Sequence, residues 1–152
     1  MEKKKTLLIA IVFSLITSQL ACKDSQIQKA AKATDDMAVT ISLAIDAKRA
    51  LALTMPPLIS PEEEVTVTLA LQKVNAAVGA FRIQAMGISK LDPNSKAKLL
   101  PLFQGISESI TDLNNQGLLG IKNPEAKNKL TLILGGLAAS LAIVQSVLMG
   151  GA

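Results

Sequence analysis

Apolar residues recur along most of this chain at alternating spacings of four and three, and that rhythm restricts it to helices packed on one another. A helix turns once every 3.6 residues, so such a spacing gathers the apolar side chains into one seam that must be covered. Val67, Leu71, Val74, Val78, Phe81, Ala85 and Ile88 form one seam without interruption. Leu99, Phe103, Ile106, Ile110 and Leu113 form a second, and Leu130, Leu134, Leu137, Leu141, Val144 and Leu148 a third. The stretch Val65-Thr66-Val67-Thr68-Leu69 alternates as a strand would, but five residues do not outweigh the longer helical period around them.

Each seam has a start signal. Ser60-Pro61-Glu62-Glu63-Glu64 combines a serine that can accept from orphan backbone donors, a proline at the first helical position and Glu63 placed to complete a capping box. Asp92-Pro93 and Asn123-Pro124 repeat the polar-proline pair. These starts are 32 and 31 residues apart, matching helix-loop lengths rather than a sequence repeat, since the residues between them do not align. Upstream, residues 25–53 contain no Gly or Pro and are rich in Ala, Lys and Gln, with Ile27, Ala31, Ala38, Ile41 and Ile45 as the expected apolar face. Met55-Pro56-Pro57 stops that helix. Pro101 lies inside the second seam, so a kink or break is expected at residues 98–100, and Asn114-Asn115-Gln116-Gly117 is expected to end the segment. Helices of roughly 25 residues are each about 38 Å long. Joined by short turns, they predict an all-α fold, an antiparallel four-helix bundle in residues 22–152.

The first 21 residues have another character. Residues 1–5 are basic, and residues 6–17 (TLLIAIVFSLIT) form an uncharged apolar run of the length used by a secretory signal peptide, too short for a spanning helix. The junction Ser18-Gln19-Leu20-Ala21-Cys22 follows. With Ala21 and Cys22 in its last two positions it resembles the lipobox of bacterial lipoproteins, though Gln19 and Leu20 depart from the usual apolar and small residues there. The resemblance implies cleavage after residue 21, lipid attachment at Cys22 and export to a membrane-anchored position in the cell envelope. Cys22 is also the only cysteine of the chain. In an exported protein it has no intramolecular disulfide partner, and acylation would remove a stray thiol. Lys23 follows the cysteine where an inner-membrane retention signal would place Asp.

The leader also accounts for part of the basic balance of the chain. Lys3, Lys4 and Lys5 supply three of sixteen positive charges, and residues 22–152 carry 13 basic against 11 acidic residues. That near-balance, with no Trp or Tyr as a stacking platform, excludes nucleic acid as an expected partner.

No catalytic constellation is visible, and the sequence predicts neither an enzyme, a metal site nor a cofactor. The chain has no His, and its one Cys is committed, which removes the usual zinc and haem ligands. Glu62, Glu63 and Glu64 read as favourable charge at a helix start rather than as a metal site. Asp35 and Asp36 are adjacent on one helix and do not face each other. Arg82, beside the seam residue Phe81, could pair with Glu108 or Asp112 but is expected to be exposed or snorkelling. The lysines at 96, 98, 122, 127 and 129 are too sparse to form a patch. Residues 130–152 have no charge and are long enough to cross a bilayer, but Gln145 and the Gly135-Gly136 pair favour a buried central helix. The expected role is therefore a lipid-anchored helical bundle that binds or scaffolds another protein. The alternatives are membrane insertion by residues 130–152 and carriage of a small apolar ligand between the helices.

Overall fold

The computed structural model describes residues 25–150, and Cys22 and the leader lie outside them. Four helices run in sequence: α1 (Ser25–Ala52), α2 (Pro61–Met86), α3 (Pro93–Asp112) and α4 (Pro124–Met149). There is no strand among the described residues, and the fold is the all-α bundle that the seams predict.

All three polar-proline starts act as caps. Ser60 Oγ accepts from the Glu63 backbone N–H while the Glu63 side chain accepts from the Ser60 N–H, completing a capping box. Asp92 accepts from the Ser95 N–H and Asn123 from the Ala126 N–H. Each proline occupies a position whose N–H would have had no partner within the helix, so it costs no hydrogen bond there.

The helices form a ring in chain order. α1 packs on α2, α2 on α3, α3 on α4, and α4 closes against α1 in the most extensive of the contacts; α1 and α3 lie on one diagonal, α2 and α4 on the other. Neighbours are antiparallel. Asp35 near the start of α1 meets Arg82 near the end of α2, and Lys48 near the end of α1 meets Glu64 at the start of α2. One end of the bundle thus gathers the starts of α1 and α3 with the ends of α2 and α4. The other gathers the connection at residues 53–60, the end of α3 and the start of α4.

The core is one aliphatic cluster fed by all four helices, with Phe81 its largest fully buried side chain. Every residue of the α2 and α3 seams is buried, and in α4 Leu141 alone is only partly covered. The α1 face differs from expectation. Its buried residues are Ile27, Ala30, Ala33, Thr34, Met37, Ile41, Ala44, Lys48 and Leu51, whereas Ala31 and Ala38 are half-buried and Ile45 is exposed. Ile27 and Ile41 are buried as expected, with Met37 and Leu51, but the rest of the core side of α1 is three alanines, Thr34 and Lys48, which apolar periodicity does not pick out.

α3 continues unbroken through Pro101. Pro101 and Ala97, whose carbonyl the proline leaves without a helical N–H, are both exposed, so the lost bond falls on the solvent side of the helix rather than in the core. Asn114–Gly117 does not end the helical path either. The chain widens into a π-helical turn over Leu113–Leu118, which buries Leu113, Gly117 and Leu118 against the bundle. Gly117 is needed for that approach: a Cβ there would lie 3.1 Å from the Leu113 side chain and 3.6 Å from Ala70 of α2.

α4 is not a buried central helix. It is one member of the ring, with Leu130, Leu134, Leu137, Val144, Val147 and Leu148 inward and an outer face that is exposed and, after Lys129, uncharged. Its most apolar 18-residue window has a mean hydropathy of 2.1, yet only 33% of that window is buried.

Candidate functional site

Cys22, the expected lipid-attachment residue, lies outside the described residues, and α1 begins at Ser25. The other sequence-derived candidates divide between the two ends of the bundle, and the structure uses most of them to hold helices together.

At the end formed by the connection at residues 53–60, the buried ammonium of Lys48 donates to Glu64 Oε1 and to Thr68 Oγ1, both at 2.8 Å. Thr68 in turn donates to the backbone carbonyl of Glu64 at 2.7 Å. The lysine side chain is 8% exposed and that of Glu64 34%, so the pair is dry on one side and wet on the other. This arrangement joins α1 to α2. Its donors and acceptors are engaged with one another. Sequence reasoning missed Lys48, although its position seven residues after the seam residue Ile41 was a usable signal.

Glu63 ties the same end together across a diagonal. Besides accepting from Ser60 N at 2.6 Å, it accepts from the backbone N–H of Lys122 at 2.9 Å, just ahead of the α4 cap. The backbone N–H of Ser60, followed by that of Lys122, holds the Glu63 carboxyl below the usual glutamate range. The three glutamates therefore do three things: Glu62 sits in the first turn of α2, Glu63 joins two caps, and Glu64 receives Lys48. No group of three or more His, Cys, Asp or Glu side chains among the described residues is arranged to hold a metal ion.

Towards the other end, Arg82 pairs with Asp35 of α1 at 3.0 Å, rather than with Glu108 or Asp112, and both side chains are about half exposed. Asp36 receives Lys32 one turn earlier on its own helix at 3.1 Å. The adjacent aspartates thus serve different partners, one across helices and one within α1. Asp92, the α3 cap, is held below the usual aspartate range by its hydrogen bonds from Ser95.

Two concavities accompany these contacts. A groove of about 480 Å³ runs between α2 and the end of α3, bordered by Thr66, Leu69, Lys73, Asp112 and Gln116, most of them exposed. A smaller apolar recess of about 130 Å³ lies between α3 and α4 at Ile110, Leu113, Leu134 and Leu137. The first is a surface groove. The second is smaller than the roughly 300 Å³ at which ordinary ligand pockets begin.

Several large apolar side chains stay exposed along the α1–α4 pair. Gly136 of α4 packs against Thr40 of α1, which sets the level at which the two helices meet. One turn from that contact towards the start of α4, Leu43 on α1 is 55% and Leu132 on α4 82% exposed; Val39 and Ile143 extend the surface along the same pair of helices. Comparison with protein-family models, with curated proteins and with solved structures found no match.

Proposed function

We propose that this protein is exported on the leader at residues 1–21, is anchored to a membrane of the cell envelope through a lipid on Cys22, and acts there as a binding or scaffolding helical bundle rather than as an enzyme. The observation that carries the binding role is the α1–α4 surface. The four helices already close their core, and Val39, Leu43, Leu132 and Ile143 remain outside it. Burying them on another protein would contribute association energy without disturbing the fold. The polar groups support the same reading, because Lys48, Glu63 and Glu64 are engaged in holding helices and caps.

A second reading draws on α4, whose outer face is uncharged after Lys129 and whose most apolar window is long and apolar enough to cross a bilayer. In that case the helix leaves the bundle and inserts. Fractionation of a Cys22→Ala variant separates the two. Under lipid anchoring the variant leaves the membrane on alkaline carbonate washing, whereas retention through the wash favours insertion. Intact mass of the membrane-derived protein reports cleavage after Ala21 and acylation directly.

A further inference from the structure

We propose that the bundle stands on its anchored end, with the start of α1, the α2–α3 connection and the last turn of α4 against an anionic lipid surface. This rests on the reading of Cys22 as the anchor. Three peptide steps separate Cys22 from Ser25, the first residue of α1, and an extended chain covers at most about 11 Å in that distance. α2 and α4, at 26 residues each, are about 39 Å long. The tether therefore holds one end of the bundle at the headgroups and leaves the other to reach away from them.

The chemistry of that end matches the surface it would meet. Lys32 and Arg82 are offset by Asp36 and Asp35. Lys29, Lys90 and Lys98 are exposed there, on α1, on the α2–α3 connection and on the first turns of α3. Asp92 lies in the same region with its carboxylate turned to the backbone of α3, where it accepts from Ser95 at 2.7 Å. Met86 and Met149 close α2 and α4 at this end with 62% and 63% of their surface exposed, and Ile83 is 75% exposed one turn in. Lysines around exposed, flexible apolar side chains suit a bilayer interface: the cations meet lipid phosphates and the thioethers enter the headgroup boundary. The opposite end is mixed and close to balance, with Asp46, Glu62, Glu63, Glu64, Asp112 and Glu125 set against Lys48, Arg49, Lys122, Lys127 and Lys129.

The test uses the membrane-derived protein, reconstituted into phosphatidylcholine vesicles with and without phosphatidylglycerol and carrying one nitroxide label. The label sits at Ser89→Cys in the α2–α3 connection, at Ala139→Cys on the outer face of α4, or at Asn115→Cys at the far end. In the anionic vesicles the label at 89 is expected to be shielded from a water-soluble nickel chelate while those at 139 and 115 stay accessible. High salt or a Lys90→Glu/Lys98→Glu variant should release it. Equal accessibility at 89 and 115 overturns the proposal, and shielding centred on 139 overturns it in favour of a bundle lying on its α1–α4 side. If intact mass shows Cys22 unmodified, the anchor reading falls separately, and the same labels then report on protein added to preformed vesicles. Shielding at 89, with partitioning lowered about fivefold for each lysine removed, would still support the charged end, and its absence would overturn it.

Discussion

Gly136 meets Thr40 so closely that a Cβ on the glycine would lie 3.0 Å from the threonine hydroxyl, while at its neighbour Gly135 a Cβ would meet nothing within 4 Å. The two glycines follow each other in sequence and stand in opposite circumstances. Gly136 sets the separation of α1 and α4, and Gly135 faces outward. Thr40 has little freedom to retreat, because its hydroxyl donates to the Asp36 carbonyl at 2.9 Å.

Gly135→Ala should accordingly stabilise the protein by about 0.5–1 kcal/mol, the ordinary gain from replacing an exposed helical glycine. Gly136→Ala should gain less, because the contact with Thr40 opposes the same propensity. Gly136→Val should cost about 1–3 kcal/mol, as overpacking does. Urea denaturation of the three variants measures the order, and equal stabilisation by both alanines would show that the helices separate freely.

Lys48 contributes both a buried stem and a charge. Lys48→Ala removes the stem and leaves Glu64 and Thr68 without their donor, with an expected loss of about 1–3 kcal/mol. Lys48→Met keeps most of the volume, and Glu64 is exposed enough to take water in place of the ammonium, so its loss should be clearly smaller. Glu64→Gln, by contrast, leaves a buried cation without a counter-charge and should fall near the alanine value. Thermal or chemical unfolding that found Met and Ala equivalent would place the whole contribution in the ion pair.

The depressed pKa of Glu63 links stability to pH. Its folded value lies below that of the unfolded chain, so the stabilisation is fully present above the ordinary glutamate range and is lost as pH falls through the folded value. Glu63→Gln should therefore be less stable than the parent at neutral pH, with the difference shrinking in acid, where Glu63 is itself protonated. Parallel urea titrations at neutral and acidic pH check this. A difference that stayed constant would detach Glu63 from the acid response and leave it to groups such as the Asp92 cap, whose shift has the same sign.

Where a seam consists of Leu, Ile, Val and Phe, its face in the bundle could be read directly from the sequence, as it could for α2, α3 and α4. α1 was harder because Ala30 and Ala31, or Ala33 and Ala38, are alike to a periodicity argument. What chooses between them is the close approach of α4 at Thr40 and the burial of Lys48, both properties of the partner helix. The path after Asp112 was misjudged for a related reason. Asn114, Asn115 and Gly117 are turn formers by composition, but anchoring Leu113 and Leu118 in the core favours a wider helical turn over a stop. Arg82 was correctly placed at the surface, whereas its partner depended on the relative rotation of α1 and α2. The junction at Cys22 was visible only as a motif, because attachment chemistry leaves no periodic trace.

The ring of antiparallel helices also decides where the protein can be handled. Ser25 and Gly150, the first and last described residues, emerge at the same end of the bundle. An epitope tag or fluorescent fusion placed after residue 150 would crowd the end from which α1 starts, the face proposed above to meet lipid. Pro57 in the connection at residues 53–60, or Leu119 beyond the π-helical turn, lies a full helix length away and is exposed. Reporters inserted there would project outward, where an antibody or an added protease reaches them first.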